Sequence, residues 1–99
     1  MTLSNDKIKQ YRTVGHGLNP VVTVAGKGLT EGVLAELDRA LEDHELIKIK
    51  VAVTDRALRK AVIEELCASS KAALIQEIGK VALIFREAQK PDPRKSNIR

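Results

Sequence analysis

The spacing of hydrophobic residues along this chain switches between the helical period of 3.6 and the strand period of two. Over residues 46–53, the run LIKIKVAV places apolar and lysine side chains on opposite faces of a predicted strand. Over residues 31–44, apolar residues recur three and four positions apart and predict a helix with Thr30 as its N-cap. We therefore expect one face of the strand to be buried and its lysine face to be open to solvent.

The remaining elements follow from the same patterning. They are a helix from the Ser4 N-cap to about residue 16, a strand over about 21–25, a helix over about 55–68 capped by Thr54 or Asp55, and strands over about 72–78 and 80–86 that form a hairpin around Gly79-Lys80. The order α-β-α-β-α-β-β predicts an α/β fold, more closely an α+β two-layer sandwich. Right-handed crossovers place the second and third helices on the same sheet face. The sequence leaves open whether the first helix covers part of the other face.

The C-terminal residues differ in composition from the rest of the chain. From residue 88 onward, two prolines and the lack of an apolar period predict a disordered tail. We expect one domain over residues 1–87 and a basic tail over residues 88–99. The chain of 99 residues is 43% hydrophobic, which is enough for one core without metal or disulfide support.

Cysteine usage and hydropathy favour a cytoplasmic protein. Cys67 is the only cysteine, so an internal disulfide and a cysteine-based zinc cluster are excluded, and we expect it to be a small buried hydrophobe. The polar N-terminus predicts no signal peptide, and no apolar run approaches the ~20 residues that span a bilayer. We expect no metal, no cofactor, no small-molecule substrate and no membrane partner.

Charged residues are sorted along the chain. Residues 31–45 contain six acids and one base, a net charge of −5, whereas the whole chain carries +4, so the remainder carries +9. A basic remainder beside one acidic helix indicates a surface that meets a polyanion. Simple solubility through mixed surface charge is the alternative.

A short glycine loop joins the first strand to the second helix. The β-branched run 21–24 stops at Ala25-Gly26-Lys27-Gly28, and Thr30 then opens the helix. Glycines let a backbone approach a phosphate, helix-start N–H groups point outward without partners, and Lys27 adds a full charge. The sequence therefore predicts a phosphate contact at Gly26, Lys27 and Gly28, unless the glycines only make a tight turn.

Further basic side chains are candidates for contacts with the same polyanion. They are Arg12, His16, Lys48, Lys50, Arg56, Arg59, Lys60, Lys80 and Arg86. Strand alternation predicts that the second sheet face carries Lys48, Lys50, Lys80 and Arg86. Helix capping by His16, and also by His44, and plain solvation of the other side chains remain as alternatives.

Enzymatic functions have little support in the sequence. A nucleotide-binding P-loop requires G-x-x-x-x-G-K-[ST], and Gly26-Lys27-Gly28 has neither this spacing nor the following hydroxyl. The two histidines and Cys67 form no recognisable catalytic motif.

With only Tyr11 and Phe85 as aromatic residues, and Phe85 predicted to point into the core, the chain lacks a platform for stacking bases. Any nucleic acid would therefore be contacted mainly at its phosphates and sugars.

Residues 7–86 resemble the YhbY-like family of CRM (chloroplast RNA splicing and ribosome maturation) domains. The blocks that carry the resemblance are HGLNPVV (16–22), GLT (28–30), HELIKIKV (44–51) and QEIGK (76–80), followed by Phe85-Arg86. The resemblance implies a four-stranded mixed sheet like that of the C-terminal domain of translation initiation factor three. It also implies an RNA-binding protein that associates with the precursor of the large ribosomal subunit. The family usually shows a GxxG loop, and here Ala25 stands at the position of its first glycine.

Together with this resemblance, the sequence predicts a cytoplasmic, monomeric, non-catalytic protein. The resemblance implies that it binds large-subunit ribosomal RNA and assists ribosome assembly. The alternative is a protein-interaction module whose acidic second helix docks on a basic ribosomal protein. RNase treatment distinguishes the two hypotheses. Loss of co-sedimentation with ribosomes would favour RNA contact, and retention would favour contact with a protein.

Overall fold

Three helices and four strands follow one another in the predicted order. The computed structural model describes residues 3–99, so residues 1 and 2 of the predicted domain lie outside it. The elements are α1 (Asn5–Gly15), β1 (Pro20–Val24), α2 (Glu31–His44), β2 (Leu46–Val51), α3 (Arg56–Ser70), β3 (Ala73–Ile78) and β4 (Val81–Phe85). The predicted boundaries agree with these within two residues. In the described range, no helix is long and apolar enough to cross a membrane.

The strands form one mixed sheet in the order β1-β2-β4-β3. β1 runs parallel to β2, and β4 is antiparallel to both β2 and β3. The predicted α/β class with a four-stranded mixed sheet is thus confirmed.

Each helix begins at a side chain that binds the first turn. The hydroxyl of Ser4 accepts a hydrogen bond from the Lys7 N–H, and that of Thr30 accepts from the Val33 N–H. At α3 the cap is Asp55, whose carboxylate accepts from the Leu58 N–H at 2.9 Å. These caps satisfy N–H groups that have no partner inside the helix.

Both faces of the sheet are covered by helices, although unequally. α2 and α3 cover the first face, where they bury one continuous apolar cluster. Its fully buried members include Leu37, Leu41, Ile49, Ile63, Leu66 and Ile84. Cys67 packs at the edge of this cluster, and burial raises the pKa of its thiol to about 11.

α1 covers part of the second face, which settles the point that the sequence left open. Tyr11 of α1 packs on Phe85 of β4 with ring centroids 4.8 Å apart, and Leu46 and Leu83 belong to the same cluster. Gly15 lies so close to β4 that an added Cβ would stand 2.5 Å from Leu83 Cδ2. The lysine face of β2 is therefore open to solvent only in part, because α1 covers the second face around Leu46 and Leu83.

Three connections meet at one end of the sheet, which we call the loop end. They are the β1–α2 loop, the β2–α3 loop and the β3–β4 turn. The Val51 N–H donates to Lys80 O at 2.7 Å, and the Ala52 N–H donates to Val24 O at 2.8 Å. The loop end is thus the carboxyl end of the parallel strands β1 and β2.

The C-terminal segment 88–99 lies at the opposite end of the sheet. It contains no helix or strand, yet it contacts the end of α2 and the start of β2 through several hydrogen bonds. The Asn97 N–H donates to His44 O at 2.9 Å, and His44 Nδ1 lies 2.8 Å from Lys95 O. The structure therefore differs from the predicted disorder, because polar groups of α2 and β2 bind a segment that has no apolar pattern of its own.

Candidate nucleic-acid interface

The β1–α2 loop is a tight turn with an open outer side. The Gly28 N–H donates to Ala25 O at 2.9 Å, which closes a four-residue turn, and the Thr30 N–H then donates to Gly28 O. Gly28 has a φ of +72°, which favours glycine, whereas neither Ala25 nor Gly26 has a positive φ. Alanine at the first loop position therefore fits this backbone.

This loop leaves room and hydrogen-bond donors for a ligand. A Cβ built on Gly26 or Gly28 meets no atom within 4 Å. The N–H groups of Gly26 and Lys27 have no hydrogen-bond acceptor within residues 3–99. Lys27 itself is exposed. Free N–H groups beside a lysine at a helix start provide the chemistry that holds a phosphate.

The loop end gathers basic side chains from four separate segments. Lys27 comes from the β1–α2 loop, Lys50 from the end of β2, and Lys80 from the β3–β4 turn. Three more cations come from the first two turns of α3, namely Arg56, Arg59 and Lys60. Sequence reasoning identified each of these residues, and the parallel pairing of β1 with β2 brings them to one end.

Three other predicted residues extend the basic surface along the second face. Lys48 pairs with Leu83 of β4, and Gly15 at the end of α1 packs on the same leucine. α1 therefore brings the exposed Arg12 and His16 to the face that also presents Lys48 and Lys50. The His16 N–H donates to Arg12 O, so His16 is also the C-cap of α1.

Arg86 does not lie on the second face, so the predicted placement of its side chain was wrong. Its guanidinium donates to the carboxylate of Asp38 at 2.8 Å and to Ser70 O at 3.1 Å. The side chain therefore lies between α2 and α3, on the first face. Alternation explains this position, because Ala82 and Ile84 of the same strand face these helices.

One residue near the basic cluster was missed by sequence reasoning. Glu77 of β3 lies with Arg56, Arg59 and Lys60 around a cleft of about 430 Å³ beside Gly79. Strand alternation could have identified Glu77. It pairs with Ala82 across the β3–β4 hairpin, and Ala82 faces α2 and α3, so Glu77 lies on the same face of the sheet.

Most acidic side chains of residues 31–45 contact other groups of this chain. Within the described residues, four of its six acids make such contacts: Asp38 with Arg86, Glu42 with the N–H groups of Gln89 and Lys90, Asp43 with Lys95, and Glu45 with Arg99. Most acids in the C-terminal half of α2 are therefore engaged within the chain, while the Asp38 side chain stays largely exposed.

Comparison with known proteins identifies the family. The model of the CRS1 / YhbY (CRM) domain matches residues 3–86, which is most of the chain. The chain belongs to the CRS1/YhbY (CRM) domain family. The resemblance stated from the sequence is thus confirmed, and the family match ends before the C-terminal segment.

Two bacterial proteins are similar to this chain over nearly its whole length. A Pseudomonas aeruginosa protein named a probable RNA-binding protein is 54% identical over 98 residues, covering 99% of this chain and 94% of the relative. A Haemophilus influenzae protein named an RNA-binding protein is 46% identical over 99 residues, covering 96% of this chain and all of the relative.

A solved structure shares the fold. The solution structure of a hypothetical protein from Staphylococcus aureus, for which RNA binding has been suggested, superimposes with a TM-score of 0.78. It is 27% identical, and the match covers 90% of this chain and 93% of that protein.

Proposed function

We propose that this protein binds RNA through the loop end of its sheet and assists assembly of the large ribosomal subunit in the cytoplasm. Membership in the CRM family and the names of the two bacterial relatives support RNA as the partner. The role in assembly of the large subunit rests on the family resemblance. In this proposal the protein is a monomer without catalytic activity.

The observation that carries the proposal is the open β1–α2 loop. Its free N–H groups, its glycines without steric neighbours and Lys27 stand together at the capped start of α2. A backbone phosphate of RNA fits this arrangement, because it combines a full negative charge with oxygen acceptors.

The aromatic residues support recognition through phosphate and sugar. Tyr11 and Phe85 are each about 95% buried and pack against each other. The described chain therefore presents no aromatic platform on which bases stack. Basic side chains and loop backbone would make the contacts, which favours folded RNA over a short single-stranded sequence.

The loop contact is tested by variants at Gly26, where the structure leaves space for a side chain. Gly26→Asp places a carboxylate where the phosphate approaches, and Gly26→Ala is its matched control. We expect Gly26→Asp to weaken binding of a fluorescent RNA hairpin by about tenfold or more, Lys27→Gln to weaken it less, and Gly26→Ala to bind within about twofold of the parent. Gly28 is less suitable, because any side chain there strains a φ of +72°.

Thermal melts accompany these titrations to show that each variant is folded. A folded Gly26→Asp protein that binds the hairpin like the parent protein would show that the loop is only a turn. RNase treatment addresses the alternative of protein docking. If the protein still sediments with ribosomal particles after RNA digestion, a protein partner holds it.

A further inference from the structure

The cleft between α3 and the β3–β4 turn combines shape with a marked charge excess. Its volume is about 430 Å³, and three cations and one carboxylate line it. The cations are Arg56, Arg59 and Lys60, and the carboxylate is Glu77. No aromatic residue lines it, so the cleft suits a compact anion better than a nucleobase.

The cations of this cleft lack carboxylate partners. Elsewhere Arg86, Lys95 and Arg99 each lie within 4.0 Å of an acidic side chain. Between residues 3 and 99, no such ion pair involves Arg56, Arg59 or Lys60. Arg56 and Arg59 also stand in the first turn of α3, where the helix macrodipole disfavours positive charge. This arrangement is unfavourable by itself and becomes favourable when an anion binds.

Arg59 is held in position by the backbone that precedes α3. Its Nη1 donates to Val53 O at 2.8 Å and to Thr54 O at 3.4 Å. Its Nε is enclosed and has no hydrogen-bond partner in the described chain. An enclosed donor without an acceptor is costly, so a small movement of this side chain that brings Nε to an oxygen of a bound anion would be favourable. Arg56 and Lys60 are exposed beside it and free to contact the same anion.

We propose that this cleft is a second phosphate site, which holds a phosphodiester of the same RNA that contacts the β1–α2 loop. This inference rests on the proposed function. The loop follows β1 and the cleft lies beside β3, which is three strand spacings or about 14 Å away in the sheet. The strands between β1 and β3 are β2, which carries Lys50 near its end, and β4, which Lys80 precedes. The RNA backbone therefore runs across the loop end, from strand to strand.

Charge variants on the two sides of the cleft test the proposal in opposite directions. Lys60→Gln and Arg56→Gln should each weaken binding of the RNA hairpin by about three- to tenfold. Each should also reduce the slope of log K against log salt by about 0.9. Glu77→Gln should tighten binding, because it removes the one carboxylate of the cleft. Arg59 is left intact in these tests, since its bonds to Val53 and Thr54 support the fold.

Matched controls lie on α2, away from the loop end. Arg39→Gln and Glu36→Gln change charge by the same amounts at exposed positions and should leave affinity and salt slope close to those of the parent. If Lys60→Gln and Arg56→Gln match Arg39→Gln while Lys27→Gln weakens binding, the second site is refuted and the proposed function stands.

A titration with inorganic phosphate tests the cleft without RNA. Phosphate should shift the NMR signal of the Arg59 Nε–H, and Lys60→Gln should reduce that shift. If the signal moves but no RNA binds, the cleft holds phosphate and the proposed function fails. If the signal of the folded protein stays unmoved at millimolar phosphate, the cleft is not a phosphate site.

Discussion

Single residues set the closest approaches in this protein. Gly15 allows α1 to lie on β4, because its missing side chain leaves room for Leu83. Gly28 supplies the positive φ that closes the β1–α2 turn. Glu45 also has a positive φ, +64°, although it is not a glycine, and its side chain is fully buried. Hydrogen bonds from the C-terminal segment hold this residue in an unfavourable backbone conformation.

The contact at Gly15 predicts the cost of adding one methyl group. Gly15→Ala should destabilise the protein by about 1–3 kcal/mol, because Leu83 is buried and must move to admit the new Cβ. Gly17→Ala is the matched control, since its Cβ would meet Val14 O at an ordinary 3.8 Å. Urea denaturation measures both. Equal stability of the two variants would show that α1 shifts freely on the sheet.

Among the elements, the end of α2 holds the C-terminal segment in place through hydrogen bonds. Glu45 accepts hydrogen bonds from the Ala88 N–H, the Ser96 hydroxyl and the guanidinium of Arg99. The hydrogen bond from Arg99, with those from Ala88 and Ser96, lowers the pKa of the Glu45 carboxyl from its ordinary value of 4.5 despite burial. Hydrogen bonds from the Lys90 and Gln89 N–H groups likewise lower the pKa of Glu42. The C-terminal segment, which contains no helix or strand, is thus positioned by Glu42 and Glu45 at the end of α2.

The lowered pKa of Glu45 predicts how the stability of this end depends on pH. Because the folded pKa lies below the unfolded one, its stabilisation is complete above about pH 4.5 and is lost as pH falls through the folded pKa. Glu45→Gln should therefore lower the free energy of unfolding by about 1–3 kcal/mol at pH 7. The difference should shrink below pH 4.5.

Denaturation at several pH values measures this difference, and Glu36→Gln, at an exposed position of α2, serves as control. A difference between the parent and Glu45→Gln that stays constant down to pH 3 would contradict the ionised contact with Arg99.

At the scale of the whole molecule, the two ends of the sheet differ in their electrostatics. The loop end collects cations that form no ion pair within residues 3–99, whereas the other end pairs acids of residues 31–45 with the C-terminal segment and Arg86. The length of α2, 14 residues or about 21 Å, separates the two ends. This distance exceeds the Debye length of about 8 Å at physiological salt, so each end acts nearly independently there.

This separation predicts how RNA binding responds to salt and to truncation. With roughly four to six phosphate contacts, affinity for the RNA hairpin should fall by more than tenfold between about 50 and 200 mM salt. Removal of residues 88–99 should lower thermal stability, because Glu45 loses its partners. It should leave affinity at about 150 mM salt within a few fold of the full chain. An affinity that is independent of salt would rule out phosphate contacts as its source.

Patterns within each element determined much of this protein before any tertiary contact was considered. The caps Ser4 and Thr30, the helix and strand periods and the glycine turn are local features, because they depend on neighbours within about four residues. The cations of the loop end were identified from local patterns as well, because the glycine loop, strand alternation, the hairpin turn and helical spacing each point to one group of them. Their meeting at one end depends on the pairing of the strands.

Only the tertiary structure decided which distant groups meet. Asp38 and Arg86 are 48 positions apart, and Glu45 and Arg99 are 54 apart, so no local period relates them. Their pairing removed Arg86 from the basic surface and placed the C-terminal segment against the end of α2. Packing of Gly15 on Leu83 likewise decided how far α1 covers the second face. Such contacts depend on the relative placement of whole elements, which follows from how the sheet and its helices bury their apolar faces together.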